Sequence, residues 1–218
     1  MKSFWEGLLG KRRAPAPQPV VPTAANDVED LVEDLAAHIR GDVAAGFHRP
    51  EDILQSAIDV FRDDLPEAIL AQHARECLDE ALAAQAADEA GWPQTTDCDR
   101  LDAAFAALER GGIVMRQHFT CCGTCGSAEI WDEVKTFEAG GRRAYGYGFY
   151  HQQDTERAVE GGGIYLNYGA CEEGEEPAIA TARAIVAELE RHGLATDWDG
   201  SCDRRIGVSL DWKRRRPA

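Results

Sequence analysis

Ile113-Val-Met-Arg-Gln-His-Phe119, Ser127-Ala-Glu-Ile-Trp-Asp-Glu-Val-Lys-Thr-Phe137 and Ala144-Tyr-Gly-Tyr-Gly-Phe-Tyr-His151 carry the change of period on which the fold turns. The first is rich in strand formers, the second sets Ile130, Val134 and Phe137 on one helical face, and the third returns to alternation. One or two helical turns over 154–160 and Gly161-Gly-Gly163 lead to a further strand, Ile164-Tyr-Leu-Asn-Tyr168. Upstream, Thr96 or Asp97 caps a helix that points Leu101, Ala104, Phe105 and Leu108 inward and stops at Gly111-Gly112. Downstream, Pro177 opens a helix with Ile179, Ala182, Val186 and Leu189 on one face, and residues 195–199 and 205–212 form a hairpin about Gly200. Strand, helix, strand, strand, helix, strand is the order of a split βαβ unit. The expected class is α+β, with a ferredoxin-like antiparallel sheet and helices on one face.

Residues 27–91 precede this unit as a helical section. Val28, Leu31, Leu35 and Ile39 share a face, Gly41 and Gly46 offer stops, and further helices start near Pro50 and Pro66. Gly91-Trp92-Pro93 breaks it from the α+β domain over 92–212. Residues 1–26 read as a basic, amphipathic start followed by a linker with four prolines between Ala14 and Asn26, and 213–218 as a basic tail.

The 218 residues suffice for a core without disulfide or metal support, and 44% hydrophobic with 28% charged residues is a globular composition. The 39 acidic and 23 basic groups leave a formal charge of -16. Without the start and the tail, which hold eight basic groups and Glu6, the body keeps 15 basic against 38 acidic residues. Such a body repels nucleic-acid phosphates and anionic lipid, and suits either a solvated surface or a basic protein partner. No stretch approaches the length of a membrane span, and the start, interrupted by Glu6, does not read as a secretory signal. The expected location is the cytoplasm. Oligomeric state has no signature.

Seven cysteines, an odd number at uneven spacing, do not form a secreted disulfide framework. Cys77 falls on a helical stripe and Cys98 near a helix start, and both read as small core residues. Cys121, Cys122 and Cys125 differ, with three thiols in five residues and glycines at 123 and 126. A helix beginning near Ser127 points free amides and its positive end at them, which favours thiolate. Thiolate serves either a zinc ion or disulfide exchange with Cys122 as nucleophile and Cys125 as resolving thiol. In the expected sheet, the first two strands run parallel with the third between them. That brings His151 beside the cysteine turn as fourth metal ligand or proton-transfer partner, with Asp154 or Glu156 orienting it and His118 competing for the role. A strand-end histidine bonded to backbone is the plainer alternative. Cys171 and Cys202 fall at the opposite edge. Gly146 and Gly148 share one strand face, for close approach of either a helix or a ligand.

No phosphate-binding loop, dinucleotide fingerprint, nucleophile elbow or zincin helix occurs. Asp97 to Phe105, His118-Phe-Thr-Cys-Cys-Gly-Thr-Cys-Gly126, Phe149-Tyr-His-Gln-Gln-Asp-Thr-Glu-Arg-Ala158 and Gly163-Ile-Tyr-Leu-Asn-Tyr-Gly169 resemble an uncharacterised bacterial family, a domain of unknown function frequent in actinobacteria. The likeness spans about 30–212 and implies kinship without an activity. Three functions follow from the residues. One is an acidic binding or regulatory protein whose Cys121, Cys122, Cys125 and His151 suit a structural zinc. The second is a thiol redox enzyme using Cys122, Cys125 and His151. The third, metal-assisted hydrolysis by His151 and Glu156, is short of ligands.

Overall fold

Apolar residues at helical spacing build the first section. The computed structural model describes residues 25–216, with helices α1 (Ala25–Ala45), α2 (Pro50–Phe61) and α3 (Glu67–Glu89) first. Leu35 and Ile39 of α1, Ile53 and Ala57 of α2, and Leu70 and Ala74 of α3 close one core. Helix α1 runs through Gly41 and stops at Gly46, whose φ of 77° belongs to glycine. The expectations for residues 1–24, the amphipathic start and most of the linker, lie outside the described residues.

Helix α4 (Asp97–Arg110) opens on a reciprocal cap: the Asp99 amide donates to Thr96 Oγ1 at 3.2 Å and the Thr96 amide to Asp99 Oδ2 at 2.8 Å. Then come β1 (Ile113–Arg116), α5 (Gly123–Ala139), β2 (Gly146–Phe149), α6 (Gln152–Val159), β3 (Ile164–Ala170), α7 (Glu175–Arg191), β4 (Ala195–Asp197) and β5 (Ile206–Ser209). The class is α+β with helices leading, as expected.

Two features of the expected sheet are corrected. Its order is β1-β2-β3-β5-β4, and β1 pairs with β2 in parallel while the other neighbours are antiparallel. The third strand therefore lies outside the second and not between the first two, and the sheet is mixed. Element order is common to both arrangements; the choice between them rests on which backbone edges pair, and a linear alternation of periods does not encode that. Helices also cover both faces. Ile113, Met115, Ile164 and Leu166 pack with α4 and α7, whereas Val114 packs with Val134 and Phe137 of α5. The unbroken apolar run Ile113-Val114-Met115 is the mark of a strand buried on both sides.

The glycine pair on β2 serves helix packing. A Cβ on Gly146 would lie 2.6 Å from Thr181 Oγ1, and one on Gly148 3.0 Å from Ile185 Cδ1, both on α7. Residues 213–216, expected as a tail, lie against the fold. Arg214 donates to both Asp102 oxygens at 2.8 and 3.1 Å, Arg215 to Asp99 at 2.8 Å, and Arg216 to the Val43 carbonyl at 3.2 Å and to that of His48. With Trp212 Nε1 donating to the Ala44 carbonyl at 3.1 Å, this segment straps the helical section to α4. Among the described residues no helix is long and apolar enough to cross a membrane.

Candidate functional site

Because β1 and β2 run parallel, their C-terminal ends share an edge, and both candidate segments start there. Beyond β1 the chain turns through His118 and Thr120, at φ 50° and 59°, values that non-glycine residues seldom adopt. Helix α5 then begins four residues earlier than its apolar stripe suggested. Cys122 is its N-cap, and Cys125 belongs to its first turn. Gly126 permits this start by letting the ring of the fully buried Phe149 lie directly against the helix backbone.

The three sulfurs converge. Those of Cys121, Cys122 and Cys125 all lie within 4.8 Å of one another, and Cys121 Sγ stands 3.5 Å from Cys125 Sγ. The Cys125 backbone amide holds the Cys122 thiol below its ordinary pKa, helped by the Cys125 thiol and the Thr124 amide. Cys125, facing the Cys121 and Cys122 sulfurs, is pushed up to about 11. The cluster thus pairs one thiol that ionises readily with one that keeps its proton, and coordination of a cation removes that difference.

His151 stands beside the cluster but outside the group of sulfurs. Gly123 at the head of α5 faces it, with a Cβ there falling 3.7 Å from His151 Nε2. Its ring serves α6: Nδ1 accepts from the Asp154 amide at 3.4 Å, and Nε2 stands 3.0 Å from Asp154 Oδ2. Nε2 also stands 3.3 Å from Arg205 Nη1, so both ring nitrogens have neighbours around the α6 cap. Burial lowers the pKa of His151, Asp154 works in the opposite sense, and Arg205 adds to the lowering. Asp154, 3% exposed, is also held by Arg205 Nη1 at 3.3 Å from each oxygen. Asp154 thus contacts His151, while Glu156 lines a separate cavity.

That cavity received the other candidate histidine. His118 turns away from the cysteines, stacks on Phe47 with centroids 4.6 Å apart, and brings Nε2 to 3.2 Å from His48 Nε2. Burial, with His48 and Arg214 nearby, lowers its pKa to about 4. His48, in the α1–α2 loop, has no periodic or motif context and went unnoticed in the sequence.

All seven cysteines are free thiols. Cys98, 1% exposed, is the core residue expected, and burial pushes it up to about 11. Cys77 is half-buried against the helical core.

A family model described as a domain of unknown function (DUF6891) matches residues 28–216. Neither the curated proteins nor the solved structures contain a match.

Proposed function

We propose that this chain, which belongs to the DUF6891 family, is an acidic binding or regulatory protein whose Cys121, Cys122 and Cys125 hold a thiophilic metal ion, zinc by its preference for sulfur. The observation that carries this is the spacing of the sulfurs, all within 4.8 Å of one another. Two thiolates on tetrahedral zinc, at about 2.3 Å each, stand about 3.8 Å apart. Cys121 and Cys125 at 3.5 Å are close to that separation before any ion is added. Three protein donors leave a fourth position for water or for a donor from a partner. The acidic surface, with a formal charge of -16 even when every basic group is counted, suits a basic protein partner. Reduced thiols suit the cytoplasm.

Cobalt(II) titration of reduced protein without a histidine tag tests the metal. A sulfur-to-cobalt charge-transfer band that Cys122→Ser removes is expected; no band in the wild type refutes the site. For the partner, association that ignores salt contradicts an acidic recognition face.

The lowered Cys122 beside the raised Cys125 favours a second reading, thiol–disulfide exchange. Cys122 thiolate attacks a substrate disulfide, forming a mixed disulfide and releasing one substrate thiolate. Cys125, once deprotonated, attacks Cys122 Sγ, releasing the second and leaving the Cys122–Cys125 disulfide. Reduction of one equivalent of a model disulfide by the reduced protein, lost in Cys122→Ser and absent with metal bound, is its signature.

A further inference from the structure

A cavity of about 680 Å³ opens between α1, α2 and α6, on the side of His118 away from the cysteines. His48 and His118 enter it together, and the carboxylates of Asp52 and Glu156 line it. The two imidazoles do not meet there by chance packing, because each is fixed by independent contacts.

His118 is held on three sides. Its ring lies flat on Phe47 at an interplanar angle of 12°, and its backbone keeps φ at 50°, a left-handed conformation that non-glycine residues adopt where their surroundings hold them in it. Its Nδ1 stands 2.9 Å from Thr155 Oγ1. Thr155 Oγ1 also stands 3.4 Å from the His151 carbonyl, and with its hydroxyl assigned as donor to that carbonyl Oγ1 accepts from His118 Nδ1–H. The ring tautomer follows: Nε2 carries the lone pair and faces His48. On the other side, Arg216 donates to the His48 carbonyl, and Arg214 lies over Phe47 at 4.6 Å, so the C-terminal strap fixes the loop that presents His48.

Two imidazole nitrogens bound to tetrahedral zinc at about 2.0–2.1 Å stand about 3.3 Å apart. His48 and His118 present theirs at 3.2 Å. We propose that His48 and His118, through Nε2, are the protein ligands of a second metal site, separate from the cysteine cluster, which takes a borderline divalent cation such as zinc. Imidazole donors suit zinc, copper and nickel over magnesium or calcium. Cavity water supplies the remaining donors, and the acidic side chains that line the cavity balance the charge. Thr155 is a positioning residue, since its hydroxyl fixes the tautomer that frees His118 Nε2.

The test is cobalt(II) titration of tag-free full-length protein in which Cys121, Cys122 and Cys125 are all serine. One bound equivalent is expected, with ligand-field absorption and no sulfur-to-cobalt charge transfer. His48→Gln and His118→Gln in this background abolish it, and Thr155→Val, which keeps the buried volume, weakens binding about 10- to 100-fold. Thermal unfolding reports that each variant is folded. If the triple variant does not fold, the wild type is expected to bind two equivalents and His48→Gln one. Absence of cobalt binding in the folded triple variant, or binding unchanged by His48→Gln, overturns the proposal and leaves the 3.2 Å contact as a hydrogen bond between the two rings.

Discussion

Glycine to alanine inside a helix ordinarily stabilises, by about 0.5–1 kcal/mol. Gly41 and Gly126 are both helical, in α1 and α5, and the structure assigns them opposite outcomes. At Gly41 a Cβ meets no atom within 4 Å, so Gly41→Ala gains the full helical preference. At Gly126 a Cβ overlaps Phe149 Cε2 and lies 2.8 Å from Cζ. Phe149 is fully buried on β2 and cannot swing away. Overpacking of this kind costs about 1–3 kcal/mol, which exceeds the helical gain and leaves Gly126→Ala destabilised by about 1–2 kcal/mol. In a chain of this size each kcal/mol moves Tm by about 2–4 °C. Differential scanning calorimetry is therefore expected to show Gly41→Ala melting about 1–4 °C higher and Gly126→Ala about 2–8 °C lower than wild type. Because Gly126 lies one residue beyond Cys125, its displacement also shifts the cysteine cluster, and metal affinity falls with stability. Equal stabilisation by the two substitutions would refute the close seating of α5 on Phe149.

Alkylation of reduced, metal-free protein by iodoacetamide should modify Cys122 before Cys125 at pH 7, because the former ionises below and the latter above the ordinary thiol range; peptide mapping reads the order. Cys98 should stay unmodified until denaturant is added. Thr96→Ala should cost about 1 kcal/mol in urea unfolding at pH 7. The Thr96 backbone amide, with its hydroxyl, holds Asp99 below the usual carboxylate range, so this cap contributes above the unfolded value of 3.8. It is lost as pH falls through the folded value; Thr96→Ala keeps the backbone amide and removes only the hydroxyl's share, so the difference between the two proteins is expected to shrink slightly in acid.

Local chemistry made several elements legible. Thr96 or Asp97 as a cap announced α4, and Pro50 announced α2, because their physical causes lie within a few residues. The start of α5 was less legible: Gly123 and Gly126 resemble turn residues, and their helical role depends on Phe149, a partner distant in the chain. Strand order was missed because backbone pairing between β1 and β2 leaves no mark on either strand alone. The run 213–216 read as a free basic tail, since Asp99 and Asp102, which engage it, lie more than a hundred positions earlier. For the site, thiol spacing revealed the cysteine cluster directly. His151 followed correctly to the same edge, and its ring also caps α6 by accepting from the amide of Asp154, three residues onward. His48 became visible only once α1 and α6 were brought together around the cavity.

The central claim is that Cys121, Cys122 and Cys125 hold a metal ion. Elemental analysis of tag-free protein, wild type against the Cys121→Ser, Cys122→Ser, Cys125→Ser variant, purified reduced and without chelator, tests it most directly. The account predicts that the variant carries one equivalent of zinc fewer than wild type while melting as a folded protein. Equal metal content in the two would contradict it.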